Sequence, residues 1–203
     1  MRKFFILLAL IFILTYISSA QGHYKINIYA SKNKATVSSV DIVANNTNIC
    51  VSMRGKIIVG PTIGGTPGGD IAYTYYDQFD GPNNIGKLKS IGDITVTYYD
   101  KYDGPDNIGK LKSIGKIVFT YYDRFDGPDN PGRLKTIGNT NITYYDKYDG
   151  FDNIGKLKAV GNVTITYYDR FDTSEAMGVI KQINGNSPNV NVYRLQGFNA
   201  DTN

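Results

Sequence analysis

The stretch TYYDKYDGPDNIGKLKSIGKIVF (residues 97–119) decides the architecture of this chain, because close copies of it occur in tandem. Its first four residues, TYYD, recur every 23 residues, and the copies begin at Thr74, Thr97, Thr120, Thr143 and Thr166. A fixed period of this length is typical of proteins in which one small structural unit stacks on the next. The sequence therefore predicts a single repeat domain.

Each repeat contains two short strand patterns. Residues 94–103 alternate in polarity, residues 86–91 carry Leu88 and Ile91 in a shorter pattern, and Asp-Gly-Pro and Ile-Gly turn signals lie between them. The pattern predicts an all-β fold, an elongated antiparallel sheet of stacked 23-residue β-hairpin repeats. A parallel β-solenoid is the alternative, because it too is built from short repeats.

The alternation also predicts which side chains lie in the core, because successive residues of a strand point to opposite faces. One face carries Ile94, Val96, Tyr98 and Tyr102, and the other carries Thr95, Thr97 and Tyr99. The first face is expected to be buried and the second solvated. This assigns one aromatic residue near the end of each strand pattern to the core: Phe79, Tyr102, Phe125, Tyr148 and Phe171.

The intervals between Tyr75, Phe79, Gly86-Lys87 and Tyr98 resemble those of MORN repeats, which are stacked β-hairpins of similar length. The chain departs from that pattern where Asp77 and Asp100 replace one glycine, and where Leu88 and Leu111 replace another. The resemblance covers residues 55–183. It implies a scaffold with an aromatic-lined groove that contacts proteins or lipid head groups, and it implies no catalysis.

The first 20 residues have the organisation of a secretory signal peptide. Arg2 and Lys3 precede an apolar run, Phe4–Tyr16, and small residues at Ser18 and Ala20 predict cleavage before Gln21. A membrane anchor is the alternative, but the run is short for a bilayer crossing of roughly 20 residues. We therefore expect a protein that is secreted, periplasmic or at the cell surface.

The remaining chain divides into three regions. Residues 21–54 contain strand patterns and are predicted to form an N-terminal β cap region. Residues 55–183 are predicted to hold the tandem repeats, starting with a degenerate copy at Gly55-Lys56-Ile57. Residues 184–203 are predicted to form a C-terminal cap strand and tail, since the end faces of a stacked array must meet water.

Composition limits the possible partners. The formal net charge is +4, or +2 without Arg2 and Lys3, so there is no basic excess for nucleic acid and no membrane association is expected. Cys50 is the only cysteine, which excludes an internal disulfide. It is predicted to be a small buried hydrophobe between Ile49 and Val51, with a disulfide-linked dimer as the alternative.

The sequence offers little for catalysis. His23 and Cys50 are the only imidazole and thiol, and the five Asp pairs of the repeats lack the asymmetry that acid–base catalysis requires. We therefore expect no enzyme activity, no catalytic residue, no cofactor and no metal. Oxygen atoms of Asp100, Asp103 and Asp106 suggest Ca²⁺ as an alternative, but Asp-Gly and Gly-Pro are ordinary turn formers and the turn is favoured.

The solvated face supplies the candidate site, because tyrosine offers a large contact area with a polar tip. The expected partner-binding residues are Tyr76, Tyr99, Tyr122, Tyr145, Tyr168, Lys101, Arg124, Lys147 and Arg170. The predicted function is a secreted, non-enzymatic repeat protein that binds a protein or glycan along this face. The alternative is a structural or self-associating module whose apolar face is closed by a second copy.

Overall fold

The computed structural model describes residues 23–53, 56–62, 71–172 and 176–195, which form two β-sheets. The predicted signal peptide, most of the Gly/Pro-rich segment before the first full repeat, and the end of the predicted tail lie outside the described residues. The larger sheet has ten strands and the smaller has five.

The ten-stranded sheet is the repeat array, and its strands follow each other in chain order. All of its neighbouring strands are antiparallel, which confirms the predicted hairpin array and rules out the parallel solenoid. The strands are β5 (Tyr73–Tyr75), β6 (Leu88–Ile91), β7 (Ile94–Tyr98), β8 (Leu111–Ile114), β9 (Ile117–Tyr121), β10 (Leu134–Ile137), β11 (Thr140–Tyr144), β12 (Leu157–Val160), β13 (Val163–Tyr167) and β14 (Ile180–Asn184).

Two kinds of connection alternate along the array. Ile114 pairs with Ile117 across a two-residue turn that begins at Gly115, whose φ of 54° is one that glycine adopts without strain. The other connections that are described throughout are long loops, residues 76–87, 99–110, 122–133 and 145–156. Because the strands are antiparallel, the tight turns lie at one end of the strands and the long loops at the opposite end. We call the end with the long loops the loop side.

The strand pattern of residues 94–103 was predicted to be longer than it is. The strand ends at Tyr98, after a register shift opposite β8, and Lys101–Asp103 forms a 3₁₀ turn. Gln78–Asp80 and Lys147–Asp149 form the same turn in other repeats. The alternation therefore stops two residues before the turn, and Tyr102 does not follow Tyr98 into the core.

The five-stranded sheet joins the two ends of the described chain. It contains β1 (His23–Ser31), β2 (Lys34–Ala44), β3 (Thr47–Ser52), β4 (Ile57–Thr62) and β15 (Val190–Arg194) in the order β15-β1-β2-β3-β4. Strand β4 was predicted to belong to a degenerate first repeat, but it pairs with β3. Strand β15 was predicted to cap the array, but it pairs in parallel with β1.

The two sheets pack face to face around one hydrophobic core. Ile28 and Ile42 of the smaller sheet are buried together with Ile114 and Phe119 of the array. The Tyr24 hydroxyl crosses between the sheets and lies 2.8 Å from the Thr140 hydroxyl. The chain's own N-terminal strands thus cover much of the apolar face that the self-association alternative leaves for a second copy.

Cys50 lies on the other face of the smaller sheet. Its neighbours Ile49 and Val51 are buried, whereas Cys50 is only partly buried and pairs across the sheet with Asp41. The prediction of a buried cysteine was wrong. Successive side chains of a strand point to opposite faces, so Cys50 points away from the core that Ile49 and Val51 enter. Burial, together with hydrogen bonding to the Asp41 carboxylate, raises the pKa of its thiol.

In three of the repeats a lysine at the end of the long loop ties one repeat to the next. The Lys110 ammonium donates to Asn107 Oδ1 and to the Gly132 carbonyl of the following repeat, both at 2.8 Å, and lies over the Tyr121 ring. Lys87 and Lys156 make the same contacts. Each ammonium therefore joins a loop amide, a backbone carbonyl and an aromatic ring.

The third repeat breaks this pattern. Arg133 takes the lysine position and donates to the Gly155 carbonyl at 2.5 Å. Asn130 is the counterpart of Asn107, and its Oδ1 is the one buried side-chain oxygen or nitrogen of the described residues that lacks a hydrogen-bond partner. An unpaired buried acceptor costs free energy, because it has lost its bond to water and gained none.

We predict that Arg133→Lys raises the free energy of unfolding by about 1 kcal/mol, because a lysine there can donate to Asn130 Oδ1. Urea unfolding followed by circular dichroism measures the change. Lys110→Arg is the matched control, and it should lower stability by a similar amount. An Arg133→Lys variant less stable than the wild type would contradict this account.

Candidate functional site

The tyrosines predicted to bind a partner connect successive repeats. The Tyr99 hydroxyl donates to the Phe119 carbonyl at 2.9 Å, and the Tyr122 hydroxyl donates to the Ile142 carbonyl at 3.0 Å. Tyr76 and Tyr145 make the equivalent bonds. Each of these rings also meets the inner tyrosine of the next repeat edge to face, with centroids 5.9 Å apart for Tyr99 and Tyr121.

A lysine covers the other side of each ring. The Lys112 ammonium lies 5.5 Å from the centroid of Tyr99 and forms a salt bridge with Asp103. Tyr168, at the end of the series, is likewise covered by Lys181. The prediction of a solvated tyrosine face is thus corrected: all five side chains are only partly exposed, and those of the first four repeats bond to the next repeat. The residues concerned are Tyr76, Tyr99, Tyr122, Tyr145 and Tyr168.

A different set of aromatic side chains faces the solvent. Tyr102 is 85 % exposed, Phe125 is 88 % exposed and Phe171 is 90 % exposed. All of them were predicted to lie in the core, and that prediction was wrong because the strands end before reaching them. We call this set the aromatic row; it consists of Phe79, Tyr102, Phe125, Tyr148 and Phe171.

The 3₁₀ turns hold the aromatic row outward. The Asp100 carboxylate accepts a hydrogen bond from the Tyr102 backbone N–H at 2.7 Å, and Asp103 Oδ2 accepts one from the Asp100 N–H at 3.1 Å. This reciprocal capping box fixes both ends of the turn. Gly104 then leaves the turn with a φ of 101°, which side chains with a Cβ rarely adopt. Equivalent bonds occur at Asp77, Asp123, Asp146 and Asp169.

In four of the five turns a hydrogen bond from a lysine favours the charged form of the second carboxylate. The hydrogen bond from Lys112 lowers the pKa of Asp103, and the same bond raises the pKa of the Lys112 ammonium. The pKa of each equivalent carboxyl whose shift is resolved is lowered in the same way by the lysine nine residues on: Asp80, Asp126 and Asp172. Each of these four turns therefore presents a carboxylate, paired with a lysine, beside its aromatic side chain.

The predicted cations lie directly beside the aromatic row. Arg124 forms a two-pronged hydrogen-bonded pair with Asp106 of the preceding loop, and Arg170 does the same with Asp152. The Arg170 guanidinium lowers the pKa of Asp152 to about 2. Lys101 instead lies over the Tyr102 ring, at 4.9 Å from its centroid, and Lys147 lies over Tyr148 in the same way.

Grooves open between successive turns on the loop side. One groove of about 450 Å³ is lined by Asp80 and Pro82 of one turn and by Tyr102 and Asp103 of the next. A second, of about 380 Å³, contains Tyr148 in the same position. A third, of about 570 Å³, contains Phe171, and there Phe151 stands where other repeats have proline. Each groove combines an exposed aromatic ring with carboxylates of two turns.

The described residues form no metal centre. No group of three or more His, Cys, Asp or Glu side chains among them is placed to hold a metal ion, and the Asp100 and Asp103 carboxylates are engaged in the turn. In the same part of the chain there is no helix with the length and apolar character needed to cross a membrane.

Comparisons with known proteins add no relative. No protein-family model, no curated protein and no solved structure matches this chain. The similarity to MORN repeats therefore stays a prediction from sequence spacing. The class of the protein is defined by its own geometry, a two-sheet β protein whose hairpin repeats display one aromatic side chain per turn.

We predict that Tyr122→Phe lowers the free energy of unfolding by about 1 kcal/mol, because it removes the hydrogen bond to the Ile142 carbonyl. Tyr148→Phe is the matched control, since Tyr148 is exposed and three other repeats carry phenylalanine there. Chemical denaturation of both variants measures the difference. Equal effects of the two substitutions would show that the hydrogen bond of the Tyr122 hydroxyl does not couple the repeats.

We predict that the melting temperature falls as the pH is lowered from about 5 to about 2. The folded-state pKa of Asp103 and its equivalents lies below the unfolded value of about 3.9, so their stabilisation is present above that pH and lost as the pH falls through the folded values. Circular dichroism melts at low ionic strength measure the effect. Lys112→Gln should weaken the acid dependence, and melts insensitive to acid would disprove this linkage.

Proposed function

We propose that the protein binds an extended glycan chain along the aromatic row. The observation that carries this proposal is the exposure of five aromatic side chains, one per repeat, in turns that are built to hold them outward. Aromatic rings stabilise a fold when they are buried, and these are not. Grouped exposed apolar side chains on a monomer usually mark a binding surface.

The spacing of the row supports a repeating ligand. Equivalent residues in consecutive repeats are separated by two strand spacings, about 9.6 Å, so the five side chains span roughly 38 Å. One step is comparable to the length of two linked pyranose rings. A polymer that repeats at this interval can place one unit on each aromatic side chain, and the separate contacts then add as avidity.

The polar groups around each ring suit a hydroxylated ligand. The apolar face of a pyranose packs on an aromatic ring, while its hydroxyl groups both donate and accept hydrogen bonds. Each groove supplies carboxylate acceptors, and Arg170 lines one of them with more than half of its side chain exposed. Carboxylates and guanidinium groups form the stronger, charge-assisted hydrogen bonds.

The Asp pairs support binding without catalysis. In each turn the first carboxylate caps the backbone and the second pairs with a lysine, so both act in structure. Their near-identical surroundings give no pair of groups with opposed pKa values, which acid–base hydrolysis of a glycan needs. Together with the expected signal peptide, this favours a secreted binding protein.

A proline-rich peptide is the second candidate, and the repeat spacing favours it as well. A polyproline II helix has three residues per turn and rises about 3.1 Å per residue, so its pitch of about 9.3 Å is close to the step of the row. Such peptides dock in aromatic-lined grooves. This candidate corresponds to the protein partner in the sequence prediction.

We predict that Phe125→Ser weakens binding of a soluble polysaccharide about tenfold and leaves the melting temperature unchanged, because Phe125 is almost fully exposed. Val118→Thr is the matched control: it removes an exposed apolar side chain on a strand, where other repeats carry threonine. Affinity electrophoresis against a set of extracellular polysaccharides, followed by calorimetry, measures both variants.

Affinity should also rise with the length of the oligosaccharide, until the ligand spans the row. The protein could instead bind proline-rich peptides and no polysaccharide, with affinity again lost in Phe125→Ser. That result would show that the aromatic row is a peptide-binding site. Binding that is unaffected by substitutions throughout the aromatic row would overturn the proposal.

A further inference from the structure

A second cavity, beyond the aromatic row, lies between the two sheets. It measures about 770 Å³ and is lined by strands β3 and β4 of the smaller sheet and by the inner face of the first hairpins. None of the groove residues named above lines this cavity. The glycan proposal therefore does not account for it. We call it the intersheet cleft.

The intersheet cleft exists because the smaller sheet does not cover the whole array. Five strands span less than ten at the same strand spacing. At the β14 end the cover is tight: the Ile180 N–H donates to the Lys32 carbonyl, and Tyr167 is 5 % exposed. At the β5 end the equivalent residue, Tyr75, is 58 % exposed. The inner face therefore opens progressively toward the first repeats.

The walls of the cleft are apolar. Val51 and Val59 of the smaller sheet face Leu88, Leu111 and Leu134, which occupy the same position in three successive repeats. Leu157, the next member of that series, is buried and lies outside the cleft. A cavity of this size and lining is within the range of sites that bind small apolar ligands.

Two ammonium groups supply the only charges of the described lining. Lys87 and Lys110 line the cleft, and no described acidic residue does. Each donates one hydrogen bond to a loop asparagine and one to a backbone carbonyl, and each also lies over a tyrosine ring, so the ammonium group would attract a ligand through its charge. Burial lowers the pKa of both ammonium groups, so an anion placed beside them would offset that cost.

We propose that the intersheet cleft binds a single-chain anionic amphiphile, with the alkyl chain along Leu88, Leu111 and Leu134 and the carboxylate at Lys87 and Lys110. The chain buries apolar surface that the smaller sheet leaves open. The carboxylate lies between the two ammonium groups, whose positive charges attract it. A polysaccharide on the aromatic row and an amphiphile in the cleft use different surfaces, so either can bind without the other.

Dodecanoate and dodecanol are the probes, because they share one alkyl chain and differ in charge. Isothermal titration calorimetry should show one dodecanoate per chain, below its micellar concentration, and weaker binding of dodecanol. Lys87→Gln and Lys110→Gln should each weaken dodecanoate about tenfold with little effect on dodecanol. Lys156→Gln is the matched control, since Lys156 makes the same repeat contacts outside the cleft, and it should bind as the wild type does.

Leu88→Trp fills part of the cleft without changing its charge and should abolish binding of both probes. Circular dichroism melts show whether each variant is folded. The dodecanoate affinities of Lys87→Gln and Lys110→Gln are compared with that of Lys156→Gln at a temperature at which all three variants are folded. Three results would overturn the proposal: no dodecanoate binding to the folded wild type, equal weakening by Lys156→Gln, or a dimer that dodecanoate does not dissociate, which would assign the cleft to a second copy.

Discussion

The structure depends on one local interaction, the hydrogen bond from the Tyr102 backbone N–H to the Asp100 carboxylate and its equivalents in the other repeats. It ends the strand by offering the backbone a partner outside the sheet. It also sets the direction of the aromatic side chain and positions Asp103 for the lysine of the returning strand. The hairpin, the exposed ring and the salt bridge all follow from this turn, and they recur because the turn recurs.

Contacts between repeats all run to the next unit along the chain. A tyrosine hydroxyl and a lysine ammonium of one repeat reach backbone carbonyls of the following one, and the inner tyrosine of that repeat completes the packing. No hairpin could bury its apolar face alone, so stability must come from these neighbour contacts and from the smaller sheet. The same neighbour contacts explain why the tyrosines predicted to bind a partner are only partly exposed.

The period, the hairpins and the core positions up to Tyr98 could be predicted from sequence, since they rest on turn residues and alternation. The aromatic row was missed because alternation was extended through Asp100, although Asp-x-x-Asp is itself a capping signal that marks where the strand ends. The cations were predicted to border the row of inter-repeat tyrosines, and the structure places them beside the aromatic row. The β1–β15 pairing and the intersheet cleft could not be predicted, because they depend on packing between residues far apart in the chain.

The smaller sheet fixes where the array can change its length. Tyr24 and Lys32 hold the later hairpins through Thr140 and Ile180, and β15 must return from β14 to reach β1. An extra hairpin inserted within this held part would move one of these contacts by about 9.6 Å, two strand spacings. A hairpin added or lost beside β5 would move none of them. Among homologous proteins, the number of hairpins should therefore vary at the first repeats and stay constant at the last repeats.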